Sequence, residues 1–272
     1  MNKVLIVGCG HMGSALLEAW QKLNLYKFTV IDPLNYQLIS RKFKSKKINI
    51  KKSVHDLKNI SNYDLIIIAV TPQVVKSVLK EYQLLKFKKT AVIVSIVAGK
   101  KINFFKKNLI YSKQIVRIMP NMPALIDKGM SCLVGNQNVS KVNKIKTNHL
   151  FSKVGKTLWV SNENQIDMAT AVSGSGPGYV FTILDALEKA AVNIGFSKKV
   201  ANILIYETIL GSMLLKLRSK KTSKELADLI AIKGGTTEAG IKVMKKNNIH
   251  NIFSKTIKAA YIRANLLGKS NK

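Results

Sequence analysis

The chain has 272 residues, 47% of them apolar and 22% charged, an ordinary globular balance with room for one large domain or two modest ones. Its net charge of +31 comes from 41 lysines and only four arginines, spread through nearly every segment alongside abundant isoleucine and asparagine. That pattern follows from AT-rich coding, and nucleic-acid readers lean on arginine and exposed aromatics, so no nucleic-acid partner is expected.

The first segment, "MNKVLIVGCGHMG", has one lysine and an apolar run broken at once by glycines. It reads as a buried strand, not a signal peptide. Gly8, Gly10 and Gly13 form a G-x-G-x-x-G run that follows this strand and opens a helix over residues 14–23. In that context Gly8 permits the turn, Gly10 lets the backbone approach a pyrophosphate, and Gly13 allows close helix–strand packing. His11 and Met12 sit within the run, where a helix N-terminus faces phosphate. The second strand, "FTVID", ends on Asp32, placed to accept hydrogen bonds from an adenosine ribose; the plain alternative is a helix cap ahead of Pro33. A carboxylate there disfavours a 2′-phosphate and leans the choice between NADPH and NADH toward NADH.

Three further apolar strands follow, "DLIIIAV", "TAVIVSIV" and "QIVRIM", with a helical stretch over 73–85 between the first two. Their near-continuous apolar character implies burial on both faces. The first two lead into Ala69, Val70, Thr71 and Pro72 and into Ala98, at the carboxyl ends that line the ligand crevice in open α/β sheets. The third leads into "PNMPA", whose position suggests the nicotinamide neighbourhood for Asn121; a rigid loop and nothing more is the plain alternative. The apolar runs at 65–70 and 91–98 are too short to span a bilayer. Cys9 and Cys132 form no CxxC, and the four histidines show no metal-ligand spacing, so no metal and a reduced, cytoplasmic setting are expected.

After "TLWVS" the strand signals stop. Helices are expected over 162–172, 178–194, 198–217, 224–230, 237–246 and 249–267. The fold class is therefore α/β: a Rossmann-like, doubly wound parallel sheet over 1–160, then an all-helical region over 161–272. Two glycine-rich stretches interrupt the helices. "AVSGSGPGYVF" has more glycine than a turn requires, implying close approach of a ligand or another helix. In "IKGGTTEAG", Gly234, Gly235, Thr236 and Thr237 form a small, polar, bendable helix entrance of a kind that can grip a ligand; a threonine-capped helix start is the bland alternative.

Taken in order, "GCGHMG", "AVTPQ", "SIVAG", "RIMPNMPALIDKGM", "VSGSGPGYVF" and "GGTTEAG" resemble the pyrroline-5-carboxylate reductases, across essentially the whole chain. The resemblance implies hydride transfer from NADPH or NADH to a cyclic imine, the last step of proline synthesis. It implies a homodimer or larger homo-oligomer built through the helical region. It implies Thr237 and Ser175 as catalytic residues, with Gly234, Gly235, Thr236 and Asn121 on the substrate. The chain departs from the family pattern at Ile232-Lys233 (usually Ser-Pro), Thr71 (usually Lys), Met122 (usually Thr) and His11 (usually Asn). Two other readings stand beside it: a β-hydroxyacid dehydrogenase using Lys189 as its base, and a basic binding protein that kept the fold without the chemistry.

Overall fold

The computed structural model describes residues 1–269. Its centre is an eight-stranded sheet, β1 (Asn2–Val7), β2 (Tyr26–Ile31), β3 (Ile48–Lys51), β4 (Leu65–Ile68), β5 (Val92–Ser95), β6 (Gln114–Met119), β7 (Gly129–Gly135) and β8 (Gly155–Trp159). The strand order is β3-β2-β1-β4-β5-β6-β7-β8. β1 to β6 run parallel, β7 pairs antiparallel with β6, and β8 runs parallel to β7. Around the sheet lie α1 (His11–Trp20), α2 (Tyr36–Lys42), α3 (Val75–Tyr82), α4 (Ile102–Asn108) and α5 (Lys141–Phe151).

All four residues of β4 and of β5 are buried, the signature of a central parallel strand covered on both faces. One face packs Val4, Ile6, Trp20, Phe28 and Phe151, the other Leu5, Val7, Ile66, Tyr82 and Phe105. Two strands were not legible in the sequence. β3 is a four-residue edge strand with polar residues at every second position, and β7 opens on glycine after a loop-like stretch. Gly129 and Gly155 face each other where β7 and β8 begin, and a side chain on Gly155 would run into the Gly129 carbonyl oxygen. Close backbone approach there selects glycine on both strands.

Beyond β8 the chain is helical: α6 (Glu163–Ala169), α7 (Gly176–Asn193), α8 (Lys198–Arg218), α9 (Ser223–Ile230), α10 (Thr236–Lys246) and α11 (Ile249–Lys269). The expected helices all form, with one change: α6 gives way to a π-turn over Thr170–Gly174 before α7 starts. By contacts the chain separates into two units, Met1–Pro177 with the chain from Ala260 onward, and Gly178–Ala259. The second unit buries little apolar surface within itself. Helix α8 is 21 residues long and contains an 18-residue window with a mean hydropathy of 1.5, long and apolar enough by composition to cross a membrane, and only 6% of that window is buried.

Candidate nucleotide and substrate site

Each fingerprint glycine has its own reason. Gly8 has φ +88°, a backbone that side chains disfavour, and a Cβ there would sit 2.6 Å from the Val70 side chain. At Gly13 a Cβ would come within 2.7 Å of the Gly8 carbonyl oxygen. A Cβ on Gly10 would meet nothing within 4 Å, so that side of the backbone is open to a ligand. Gly10 is also the N-cap of α1 and no side chain caps it, which leaves the first-turn N–H groups to an anion. These are the three roles expected of a turn, an open approach and a close packing, and they fit a dinucleotide pyrophosphate.

A cavity of about 280 Å³ opens beside this loop at the carboxyl ends of β1, β2 and β4. Among the expected residues, Gly8, Gly10, Asp32, Ala69, Val70 and Thr71 line it. His11 and Met12 form the first turn of α1, Gly13 is buried behind the loop, Pro72 follows β4, and Ala98 is half-buried after β5; none of these five lines the cavity. Asn35, Lys52 and Tyr82 line it without having been anticipated. Lys52 was hidden because it follows the unrecognised strand β3.

Asp32 is only 6% exposed and already engaged. Its Oδ2 accepts the Cys9 backbone N–H at 2.7 Å and the Asn35 side-chain amide at 3.0 Å, while Oδ1 accepts the Asn35 backbone N–H at 2.9 Å. Asp32 is not the cap of the next helix; that position is Asn35. The carboxylate stitches the glycine loop to the end of β2, and Oδ1 takes only one of these three hydrogen bonds, which leaves it acceptor capacity. Cys9 beside it is inert: burial first, then the Asp32 charge against the opposing charge of Lys42, pushes its thiol up to about 12.

The loop after β6 is tied to the π-turn. Asn121 Nδ2 donates to the Ser173 carbonyl oxygen at 3.1 Å, and Asn121 Oδ1 accepts the Met130 N–H at 2.8 Å. Within the π-turn, Ser175 N–H reaches back to the Thr170 carbonyl at 2.8 Å, and Asn121 satisfies a carbonyl that the wide turn leaves over. Met119 packs against Gly174: a Cβ there would lie 2.8 Å from the methionine methyl, so a larger residue would push that flexible side chain aside. Below this knot, Arg117 on β6 pairs with Asp167 at 2.6 Å and Glu163 at 3.4 Å on α6. Arg117 and Asp167 are both buried, so the sheet is fastened to the helix that leads into the turn. Ser175 is half-buried and its hydroxyl has no hydrogen-bond partner among the described residues.

In the helical unit, Gly234 takes φ +79° and Gly235 is the N-cap of α10. Thr236 and Thr237 lie inside the first turn, and neither hydroxyl caps the helix. Instead the Glu238 carboxylate accepts the Gly234 N–H at 2.8 Å and pairs with Lys242 at 3.1 Å. Neither threonine hydroxyl has a hydrogen-bond partner among the described residues. Lys189, the base in the dehydrogenase reading, is an exposed partner of Asp185 one helical turn away at 2.7 Å.

The chain matches a family model for pyrroline-5-carboxylate reductase dimerisation over residues 163–267. A second model, NADP oxidoreductase coenzyme F420-dependent, matches residues 3–99. A pyrroline-5-carboxylate reductase of Pseudomonas aeruginosa is 35% identical over 205 residues, covering 75% of each chain. One from Aquifex aeolicus is 32% identical over 250 residues, covering 90% of this chain and 89% of that one. Among solved structures, the Plasmodium falciparum pyrroline carboxylate reductase with NADP bound superposes with a TM-score of 0.85 at 28% identity, over 98% of both chains.

Proposed function

The chain belongs to the pyrroline-5-carboxylate reductase family, and from that premise we propose how its residues divide the reduction of pyrroline-5-carboxylate to proline. The glycine loop and the uncapped start of α1 hold the pyrophosphate, with Gly8, Gly10, His11, Met12 and Gly13 as its cradle. Asp32 meets the adenosine ribose, and Ala69, Val70, Thr71, Pro72 and Ala98 border the cofactor further along the strand ends. Beside a carboxylate an unsubstituted ribose is at least as welcome as a phosphorylated one, so NADH is used no worse than NADPH. Bound NAD(P)H supplies the hydride that the imine carbon accepts.

The chain's own residues orient the acceptor. Gly234, Gly235 and Thr236 offer backbone donors to the substrate carboxylate, and the Thr237 hydroxyl meets the ring nitrogen or that carboxylate. Ser175 touches the reacting ring, and Asn121 serves the substrate by fixing the π-turn that carries Ser175. Residues 1–160 form the nucleotide-binding domain and 161–272 the helical dimerisation domain. The exposed apolar helix α8 is covered by a second copy, because the family model over these residues is one of dimerisation. A soluble, cytoplasmic homo-oligomer follows. The observation that carries the substrate assignment is the pair of threonine hydroxyls left free behind the left-handed Gly234.

A spectrophotometric assay of NADH and NADPH oxidation with pyrroline-5-carboxylate tests the reading. Proline formation with both cofactors is expected. Tight nucleotide binding with no imine reduction, or oxidation of a β-hydroxyacid instead, would overturn it.

A further inference from the structure

A second cavity, of about 360 Å³, lies at the amino ends of β1 and β2 and against β3, away from the glycine loop. Six lysines line it: Lys3, Lys27, Lys46, Lys47, Lys51 and Lys58. Its position follows from strand register. Lys3 on β1 is directly paired with Lys27 on β2, Thr29 with Asn49, and Ile31 with Lys51, so these side chains share one face. On β1 and β2 that face turns apolar toward the carboxyl end, where Leu5, Val7 and Ile31 join the core, while on β3 Lys51 keeps it charged. Toward the amino end it is cationic and covered only by the turns between β3 and β4.

Like charges directly opposite each other in a sheet destabilise it, and among the described residues no carboxylate pairs with either ammonium group. None of the six ammonium groups meets a carboxylate among the described residues. Lys47 alone has a polar partner, the Asn24 side-chain oxygen at 2.6 Å. Asp56, the one acid in the lining, accepts the Ser53 N–H to cap its own turn. Asp64 next to Lys3 takes that residue's backbone N–H and the ammonium groups of Lys88 and Lys146. Asn49, Asn59 and Asn62 add amide donors to the wall. A concave, donor-rich surface with uncompensated positive charge focuses its field on a multiply charged anion, and lysine is a point-charge partner for phosphate.

We propose that this cavity is a second anion site that takes the polyphosphate chain of a small molecule, separate from the dinucleotide cleft at the other ends of the same strands. It is independent of the reductase chemistry, and the two readings fail separately. The probes are inorganic tripolyphosphate and ATP, titrated calorimetrically into the full chain at 0.15 M salt with the dinucleotide cleft saturated by NADP⁺. Saturable one-to-one binding is expected. Lys3→Gln with Lys27→Gln should weaken it about tenfold or more, and Lys46→Gln with Lys58→Gln, in loops where folding is not at stake, should do the same. Lys153→Gln with Lys156→Gln, a distant pair, should leave it within about twofold. Tighter binding of ATP than of tripolyphosphate would identify a nucleoside polyphosphate, and equal binding would identify the phosphate chain alone as what is read. Equal losses from all three pairs would reduce the effect to net charge and overturn the site. A single-stranded oligonucleotide that binds more tightly than either probe, and depends on the same lysines, would overturn the small-molecule assignment.

Discussion

In the sheet unit Trp20, Phe28, Phe105 and Phe151 are no more than 1% exposed, whereas in the helical unit Leu210, Met213 and Leu215 stand 55–57% exposed. The contrast is not one of composition, because both regions are rich in large apolar side chains. It is one of geometry. A twisted parallel sheet has two faces, and helices from the same chain cover them. Helix α8 carries apolar residues on all sides, as a helix does when it is enclosed, and its own chain does not enclose it. The stability of the first unit is thus a property of one chain, and that of the second depends on a second copy and on concentration.

The comparison breaks first at its strongest point. Trp20 packs against Phe28 and Phe151 and donates its indole N–H to the Leu150 carbonyl at 2.8 Å. Trp20→Ala should cost about 3–5 kcal/mol in denaturant unfolding, at any protein concentration. Leu210→Lys combined with Leu214→Lys should raise the dimer dissociation constant by about 100-fold or more, some 3 kcal/mol, while leaving nucleotide affinity alone. A variant that light scattering still finds dimeric would remove α8 from the interface. Gly10→Val should lower NAD(P)H affinity by about 100-fold in calorimetry without lowering the melting temperature, since a Cβ on Gly10 would meet nothing within 4 Å in the fold. Gly8→Ala, by contrast, should lower both.

Thr237→Ala should reduce kcat/KM for imine reduction by about 10- to 150-fold, the loss of one hydrogen bond to a charged group at roughly 1.5–3 kcal/mol. Thermal stability should hold, because the hydroxyl caps nothing, and Thr237→Ser should retain more activity than alanine. Full activity in Thr237→Ala would take the residue off the substrate. The smallest effect concerns Asp64. Burial alone would raise its carboxyl, but hydrogen bonds from Lys88 and the Lys3 N–H, with the charges of Lys88 and Lys146, outweigh it and hold it below its ordinary value. A lowered folded value means stability that is present above about pH 3.9 and lost as pH falls through the folded value. Asp64→Asn should therefore be less stable than the parent at neutral pH, with the gap closing below about pH 4.

What the sequence displayed and what it hid follow the same division. Buried runs such as "LIII" and "VIVS" carry their structure in their composition, and the glycine spacing after β1 leaves few alternatives. β3 and β7 were hidden because one is a polar edge and the other owes its strand state to β6 and β8 on either side. In the site, Asp32 was legible as an acid at a strand end, but its bonds to Cys9 and Asn35 depend on how two loops meet. A threonine cap is the bland alternative for "GGTT"; the structure shows no side-chain cap on this helix, and Glu238, inside it, reaches back to the Gly234 N–H instead. The sheer number of lysines concealed the cavity at the amino ends of β1–β3, where register decides which of them converge.

Every residue added to or removed from a helix turns all that follows by about 100° about its axis. The wide turn at Thr170–Gly174 holds one residue more than an α-helix would, and so it sets the phase of α7 relative to α6. On α6 that phase points Ile166 and Asp167 inward. Loss of a single residue from the turn would let it relax into ordinary helix, with every backbone hydrogen bond regained. Yet each side chain of α7 would then face a different direction, and Val180, Phe181, Ile183 and Leu187, which α7 now leaves exposed, would be carried round to other sides of the helix. A lesion invisible to circular dichroism would thus change which surface the helix presents.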